Sequence, residues 1–375
     1  MLFLSVLLFG CTTQEYIPSI SPFCPLGIEE PDPSLSAPTG FPEEEIYEAK
    51  YNGYQDGKHR FIIKGSDRIF ELANDGDYRL QNLFKKGRQY TLSVKGDTVM
   101  EAYEKEGPTD DFSPAVSGTP GQATLKNLLA TALSPVGSTL YIYGGGWNWQ
   151  DAGASNEAKS IGIASDWREF FNVQDGTYSY SEGYFPHNGV NEYRYAGLDC
   201  SGYLGWVIYN VAHDSDGEDG YVVPSTEFAA SLASEGWGTV SNDVSKLHPG
   251  DIVSINGHVW LVIGVCEDGS IVISHSTPSP SRLGEYGGGV QLSAIGDSKS
   301  CEAYLLVDMY MSRYYPNWYE RYAPVLVSYS DYMNFNTAGT GVFTWNVYEN
   351  GFLRDPDGFL YLSAGAILES LYGAN

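Results

Sequence analysis

One stretch near the middle of the chain constrains the fold more than any other. It spans residues 197–204 and reads Gly-Leu-Asp-Cys-Ser-Gly-Tyr-Leu. Apolar residues then recur at positions 204, 207, 208 and 211, which is the spacing of an amphipathic helix. Asp199 precedes this run, where a carboxylate can accept hydrogen bonds from the first helical turn. Cys200 is therefore predicted at a helix start, where the partial positive charge favours a nucleophilic thiolate. The alternative is a small buried cysteine that happens to begin a helix.

The overall composition limits the classes of partner. The chain has 375 residues, enough for two or three domains, and its 42% apolar and 14% aromatic content is typical of a folded protein. Its formal charge of −26 argues against a nucleic-acid partner, because phosphate binding needs a basic surface. The same charge argues against attraction of the folded part to an anionic membrane surface.

The N-terminus has the pattern of an export signal. Residues 1–9 are apolar and are followed by Gly10 and Cys11, a run shorter than the ~20 residues of a membrane span. A small residue before a cysteine resembles the lipobox of bacterial lipoproteins, which implies cleavage before Cys11 and lipid attachment to it. We therefore predict a signal segment over 1–11, a location in the cell envelope, and membrane contact through the lipid anchor alone. An uncleaved apolar N-terminus is the alternative.

Shifts in composition predict how the rest of the chain is divided, with an α+β fold class overall. Short alternating runs over 43–106 indicate a small all-β barrel, for which a Src-homology-3-like (SH3-like) fold is the expectation. The predicted regions are a proline-rich tether (12–42), the barrel (43–106), a linker (107–122), a catalytic domain (123–325) with an insertion at 148–196, and a C-terminal extension packed on that domain (326–375).

Two histidines lie on a predicted hairpin. His258 opens an apolar strand, and His275 closes the next one. If Asp268 and Gly269 form a two-residue turn, both rings share a face but lie four residues apart, about 13 Å, which is too far for a hydrogen bond. A longer loop or a bulge near Gly264 would bring them opposite each other.

The remaining polar clusters indicate no metal site. The acidic run 214–220 lacks the glycine and glutamate of a calcium loop and is interpreted as a solvated turn. Cys266 and Cys301 flank predicted strands. Export would allow them to form a disulfide, and two buried free thiols are the alternative.

Several motifs, taken in order, resemble the NlpC-type peptidoglycan cysteine endopeptidases. They are Leu-Tyr-Ile-Tyr-Gly-Gly at 140–145, Asp-Cys-Ser-Gly-Tyr at 199–203, Pro-Gly-Asp-Ile-Val at 249–253 leading to Gly-His-Val at 257–259, Ile-Ser-His-Ser at 273–276, and Gly-Gly-Val-Gln-Leu-Ser at 288–293. The resemblance covers roughly 123–310. It implies a papain-like domain with a Cys–His–His site and no cofactor.

The resemblance also implies a role for each matching residue. Cys200 is the nucleophile, His258 the general base and His275 the residue that orients it. Tyr141 matches a tyrosine beside the oxyanion, and Asp199 and Ser201 match positions that hold the stem peptide, with Asp199 meeting its amino group. The family places the tyrosine motif shortly before the cysteine, whereas 59 residues separate them here. We expect the insertion to build part of a groove wall, with Trp147, Trp149 and Trp167 in or beside it.

The leading hypothesis is an exported, monomeric enzyme that hydrolyses peptidoglycan stem peptides between D-γ-glutamate and the following diamino acid. The thiolate would attack the carbonyl to form a thioester acyl-enzyme, which water then resolves. An amidase or acyltransferase with the same machinery is one alternative. A catalytically silent cell-wall-binding protein is another, against which the presence of Cys200, His258 and His275 counts.

Overall fold

The computed structural model describes residues 44–56, 58–73, 84, 88–104, 113–148, 153–181 and 193–373. The chain forms two compact units, residues 1–109 and 110–375. The described residues contain both strands and helices in quantity, which confirms the α+β class. The predicted signal segment, its Cys11 and the tether lie outside the described residues.

The strands and helices of the described residues are numbered here in chain order. The strands are β1 (Glu44–Gln55), β2 (Lys58–Ile63), β3 (Ile69–Ala73), β4 (Gln89–Lys95), β5 (Thr98–Glu104), β6 (Leu140–Tyr141), β7 (Trp147–Asn148), β8 (Gly153–Ala154), β9 (Gly197–Leu198), β10 (Gly238–Ser241), β11 (Ile252–Ile255), β12 (His258–Val265), β13 (Ile271–Thr277), β14 (Gly289–Ile295), β15 (Val325–Val327) and β16 (Gly341–Trp345). The α-helices are α1 (Leu125–Leu133), α2 (Ser165–Val173), α3 (Cys200–Ala212), α4 (Phe228–Ser234), α5 (Glu302–Tyr314), α6 (Pro316–Arg321), α7 (Tyr329–Tyr332) and α8 (Ala364–Tyr372).

The first unit contains one antiparallel sheet in the order β3-β2-β1-β4-β5. Buried and more exposed residues alternate along β2, because successive side chains of a strand point to opposite faces of the sheet. His59, Phe61 and Ile63 are the buried ones and face inward. The edge strands β3 and β5 approach each other. The sheet is therefore curled around a small core that includes Tyr51, Phe61 and Tyr90.

The second unit is built on a larger sheet in the order β10-β16-β11-β12-β13-β14-β6-β9, with β15 beside β14. Its pairs are antiparallel except β14–β15 and β6–β9. The sheet curls strongly, since Ser276 of β13 donates a hydrogen bond of 2.6 Å to the carbonyl of Leu198 in β9, three places away in strand order. This curl brings the end of β9, where α3 begins, over the centre of the sheet.

The two faces of this sheet bury different residues. On one face the alternate positions Val259 and Leu261 of β12 join the main core, which also contains the apolar residues of α1 and α3. On the other face Trp260 and Val262 form a second cluster with parts of β11 and β13. Residues in the range 327–335 pack against this second cluster.

The C-terminal region corrects one sequence-based expectation. Residues 326–375 were predicted to form an extension packed on the catalytic domain, but β16 lies inside the sheet, between β10 and β11. An interior strand exchanges backbone hydrogen bonds on both edges, so this segment completes the domain. The sequence pattern did not reveal this because pairing between residues 87 to 107 positions apart leaves no local signal.

Candidate active site

The predicted nucleophile lies where expected, at the first residue of α3. Asp199 is the N-cap, with an extended backbone, and its Oδ1 accepts hydrogen bonds from the Gly202 N–H at 2.7 Å and the Ser201 hydroxyl at 3.0 Å. These bonds satisfy donors that a helix start leaves free. Cys200 is 6% exposed.

A glycine loop lies directly on the start of this helix. A Cβ atom at Gly202 would come within 2.0 Å of the Gly145 carbonyl oxygen, and one at Gly146 within 2.7 Å of the Gly202 Cα. The Asp199 N–H also donates to the Gly145 carbonyl at 3.0 Å. Only glycine permits this close backbone approach, which holds the 140–146 segment beside the thiol.

The histidine hairpin has a bulge and a longer loop. Val262 pairs with Ile273, and the register shifts between Val262 and Gly264. Residues 266–270 form the connection. Of the two hairpin geometries left open by the sequence, the structure therefore shows the one with a longer loop and a bulge.

This register brings the two imidazoles together. Continuing the pairing places position 275 opposite position 260, so that the histidines are diagonal neighbours on one face, within reach of each other. Nε2 of His258 and Nδ1 of His275 are 2.9 Å apart, and the ring centroids are 5.1 Å apart. The contact between the two histidine side chains, which depended on the geometry of the loop, is thus a direct hydrogen bond.

Three further polar residues continue the chain of hydrogen bonds. Nε2 of His275 lies 2.9 Å from the Ser293 hydroxyl, which accepts a bond of 3.0 Å from the Gln291 side-chain amide. The Ser279 hydroxyl donates to the Gln291 carbonyl oxygen at 2.9 Å. All three are buried. No role was predicted for these three residues. The sequence pattern that could have indicated one is the two-residue spacing of Gln291 and Ser293, which places both side chains on one face of β14.

One tautomer of this chain leaves a nitrogen of His258 free for chemistry. When Nε2–H of His275 donates to Ser293, Nδ1 of His275 accepts from Nε2–H of His258. The lone pair of His258 then lies on its Nδ1. His258 can therefore take a proton at Nδ1 while His275 holds the ring from the other side.

The thiol meets the hairpin at the first residues of β12. The backbone N–H of Val259, the residue directly after His258, lies near enough to the Cys200 sulfur to act to lower the pKa of the thiol. The Tyr203 hydroxyl, one turn into α3, lies 2.7 Å from that of Ser274 in β13. The helix start and the hairpin are thus fixed against each other on both strands.

Electrostatics in this site favour neutral groups. Burial, with a smaller contribution from the Asp199 carboxylate, raises the pKa of the Cys200 thiol to about 12. The N–H groups of Val259, Ser201 and Cys200 act in the opposite direction. The thiolate expected from the helix start alone is thus outweighed by desolvation. Burial also lowers the pKa of His258 to about 4, so that thiol and imidazole are both uncharged at neutral pH.

The insertion contacts the site through tyrosines. The Tyr178 hydroxyl donates to the Tyr141 carbonyl at 3.0 Å, and the Tyr180 ring lies edge-on to the Tyr141 ring at 5.4 Å. Tyr141 is 9% exposed, and the nearby Asp199 and Cys200 add to the effect of burial in raising its pKa. The insertion therefore adjoins the site, as expected, but by different residues.

The tryptophans expected to form the groove wall do not share one environment. Trp167 is fully buried against Trp206 of α3, with ring centroids 5.6 Å apart. Trp147 is partly buried against the main core. Trp149 lies outside the described residues. Trp167 is a core residue because α2 packs its apolar side inward.

The two predicted substrate-binding positions are at the helix start. Ser201 is buried and donates to Asp199. Asp199 is half-buried, and burial raises its pKa to about 6 despite the N–H groups that bond to it. A carboxylate here is available to an ammonium group only on its exposed side.

The carboxylates of two acidic clusters outside the candidate site accept hydrogen bonds from backbone N–H groups of the protein. Asp216 of the acidic run accepts from the Ile161 N–H at 2.7 Å. One ligand atom each of Cys266, Asp268 and Glu302 lies within 4.8 Å of the others. Asp268 accepts from the Glu302 N–H, and Glu302 from the Glu267 N–H, so these carboxylates cap a turn and a helix. Cys266 and Cys301 are free thiols.

Comparisons with protein-family models, with curated proteins and with solved structures found no match to this chain. In the part of the chain that the structure describes, no helix has the length and hydropathy needed to cross a bilayer.

Proposed function

We propose that this protein is a cell-envelope cysteine endopeptidase of the NlpC type, which hydrolyses peptidoglycan stem peptides. One observation carries the proposal: Cys200 begins a helix beside the first residues of β12, and from there His258, His275 and Ser293 form a continuous hydrogen-bond chain. A nucleophile, a base and a group that orients the base are the elements of thiol-dependent acyl transfer.

The reaction starts from a neutral pair. As the substrate carbonyl meets the sulfur, the Cys200 proton passes to Nδ1 of His258, and the sulfur–carbon bond forms. His258 then returns the proton to the leaving amine as the carbon–nitrogen bond breaks, which leaves a thioester. Water, deprotonated by the same imidazole, releases the acid and restores the thiol. His275 and Ser293 keep the ring oriented throughout.

Oxyanion stabilisation is assigned to the helix start. The backbone N–H of Cys200 is a donor that a helix leaves unpaired, and the Tyr141 hydroxyl is the side-chain candidate beside it. Tyr141 is close enough to Cys200 for the two charges to interact. Its raised pKa keeps the phenol protonated, as a hydrogen-bond donor must be.

The substrate class follows from the resemblance and from charge. Stem peptides present a free ammonium group, and Asp199, at the same helix start, is the acidic partner that we assign to it. We assign the cleaved bond to D-γ-glutamyl–diamino acid on the resemblance. The same resemblance leads us to propose a papain-like fold for the second unit. For the first unit we propose an SH3-like fold, because five antiparallel strands curl around one small core.

The test is cleavage of defined muropeptides, with products identified by mass. We expect the wild-type protein to cleave and Cys200→Ala to lose the activity by about 10⁴-fold or more. Cys266→Ala is the matched control, since Cys266 is equally buried, at 5% exposed, and should retain activity. Cleavage that survives in Cys200→Ala would contradict the mechanism. Transfer to an added amine instead of water would indicate an acyltransferase.

We also propose that the protein is exported and anchored through lipid on Cys11. The support is the apolar run that ends in a cysteine. Labelling of cells with a fatty-acid analogue should mark the wild-type protein and not Cys11→Ala. Equal labelling of the two would exclude this anchor.

A further inference from the structure

Tyr332 contacts both histidines of the site, although it lies in a segment that carries no motif. Its ring centroid is 5.5 Å from that of His258 and 5.9 Å from that of His275, at interplanar angles of 68° and 64°. It also packs on Trp260 at 6.1 Å. The Tyr332 hydroxyl lies near enough to the side chain of Thr277, the last residue of β13, for that side chain to act to lower the pKa of the phenol. The Tyr332 ring is therefore packed against three ring-bearing side chains of the histidine hairpin.

The segment around this tyrosine is fixed to the sheet. Strand β15 pairs with β14, and four residues of α7 follow. The Ser328 hydroxyl caps α7 by accepting from the Asp331 N–H at 3.2 Å. The Tyr329 hydroxyl donates to the Gly269 carbonyl at 2.7 Å, in the loop of the histidine hairpin. These contacts set the position of Tyr332 relative to the same hairpin that carries the base.

The His258 ring needs such a neighbour. Its Nε2 bonds to Nδ1 of His275, and one hydrogen bond still allows a ring to swing about its side-chain torsions. His258 is also half-buried. A displacement of about 1 Å in a catalytic group can cost about 100-fold in rate, so contacts that restrict the ring have a large effect on activity.

We propose that Tyr332 is a positioning residue for the base: its ring covers the His258–His275 pair and keeps Nδ1 of His258 directed at the thiol. This inference rests on the proposed peptidase function and adds to it a residue from the C-terminal segment. Tyr332 also lies near enough to Cys200 for a thiolate charge there to raise the pKa of the phenol. The titratable groups that contact the His258 ring are thus His275 and Tyr332.

The experiment uses the full chain with three variants. Tyr332→Ala removes the ring, Tyr332→Phe removes the hydroxyl alone, and Met333→Ala is the matched control, because Met333 is the next residue, packs on the same cluster and is not in the site. Each is measured for kcat and KM on a muropeptide. Each is also measured for the pKa of His258 by NMR titration, with the signal assigned through His258→Gln. Tyr332→Leu replaces the alanine variant if that does not fold.

We expect Tyr332→Ala to lower kcat by about 10- to 100-fold with KM nearly unchanged. Its His258 should titrate at least about one pH unit higher than in the wild type, because the imidazole becomes solvated. Tyr332→Phe and Met333→Ala should match the wild type within about threefold in kcat.

Three results would overturn the inference. They are an unchanged kcat in Tyr332→Ala, a loss of kcat in Met333→Ala equal to that in Tyr332→Ala, or an equal loss of kcat in Tyr332→Phe. If the wild-type protein cleaves no muropeptide, the proposed function fails. The NMR titration of His258 alone then tests whether Tyr332 positions that ring. An unchanged pKa of His258 in Tyr332→Ala then rejects the inference, and a raised pKa supports it.

Discussion

Each unit holds a histidine whose pKa burial lowers to about 4, His59 in the small sheet and His258 in the large one. His59 is fully buried, with Nδ1 2.7 Å from the Tyr51 hydroxyl and its ring against Phe84 at 5.0 Å. Its surroundings are aromatic, and residues 44–104 include no cysteine. His258 instead bonds to a second histidine, and the residue after it, Val259, adjoins the Cys200 thiol.

The comparison shows that a perturbed pKa does not identify a catalytic group. Burial disfavours the charged form of any histidine, so that core packing and an active site give the same shift. The distinction lies in the partners. His59 contributes to a core, whereas His258 belongs to a chain of groups that can receive and return a proton.

The largest difference should appear on removal of each ring. His258→Ala should lower kcat/KM for muropeptide cleavage by about 10³-fold, because the thiol loses its base. His59→Ala should leave kcat/KM within about threefold and destabilise the first unit by about 2–4 kcal/mol through the cavity. Steady-state kinetics and urea unfolding measure the two effects. A loss of activity in folded His59→Ala would show that the two histidines are not functionally distinct.

Acid should unfold the first unit through His59. The unfolded chain binds a proton near pH 6.5 and the folded unit near 4, so that stability is complete above pH 6.5 and falls as the pH drops to 4. The loss is about 3 kcal/mol. Hydrogen exchange of β2 at pH 7 and 4, corrected for intrinsic rates, measures it. His59→Gln has no imidazole to titrate, so its stability should decline less between pH 7 and 4. If the variant loses as much stability as the wild type, the loss comes from other titrating groups.

The pH profile of activity should report the low pKa of His258. Because the base must be neutral, kcat at saturating substrate, where the bound ammonium keeps Asp199 ionised, should hold as the pH falls and decline only near 4. At pH 5 about 90% of the activity should remain, against about 3% for a histidine with the ordinary value. His59→Gln should give the same profile, since His59 is not one of the residues of the proposed site. A decline centred between pH 6 and 7 would contradict the environment described for His258.

The smallest expected effect comes from the end of the hydrogen-bond chain. Ser293→Ala removes the partner of His275 Nε2 and should lower kcat by about tenfold, because the orienting ring loses one of its two anchors. Ser254→Ala is the control. Ser254 is also a fully buried strand serine, and it accepts from the Ala229 N–H at 2.9 Å. Equal kinetics for the two variants would remove Ser293 from the site.

Local patterns predicted the elements of the site well. The spacing of apolar residues after Asp199 fixed the start of α3, since capping and amphipathicity act within a few residues. The β-strands that carry His258 and His275 were predictable from apolar runs between turns. The distance between the His258 and His275 rings was not predictable, because one bulge changes the register of every residue beyond it.

The sequence by itself determined a cysteine at a helix start, two histidines on one hairpin, and an α+β chain with a small β-rich unit before the larger one. Tertiary structure decided the rest. Ser293, Gln291 and Tyr332 reach the histidines through strand register and through a C-terminal segment that enters the sheet, and burial set the protonation of Cys200. Helix signals are local, whereas pairing, packing and desolvation depend on residues far apart in the chain.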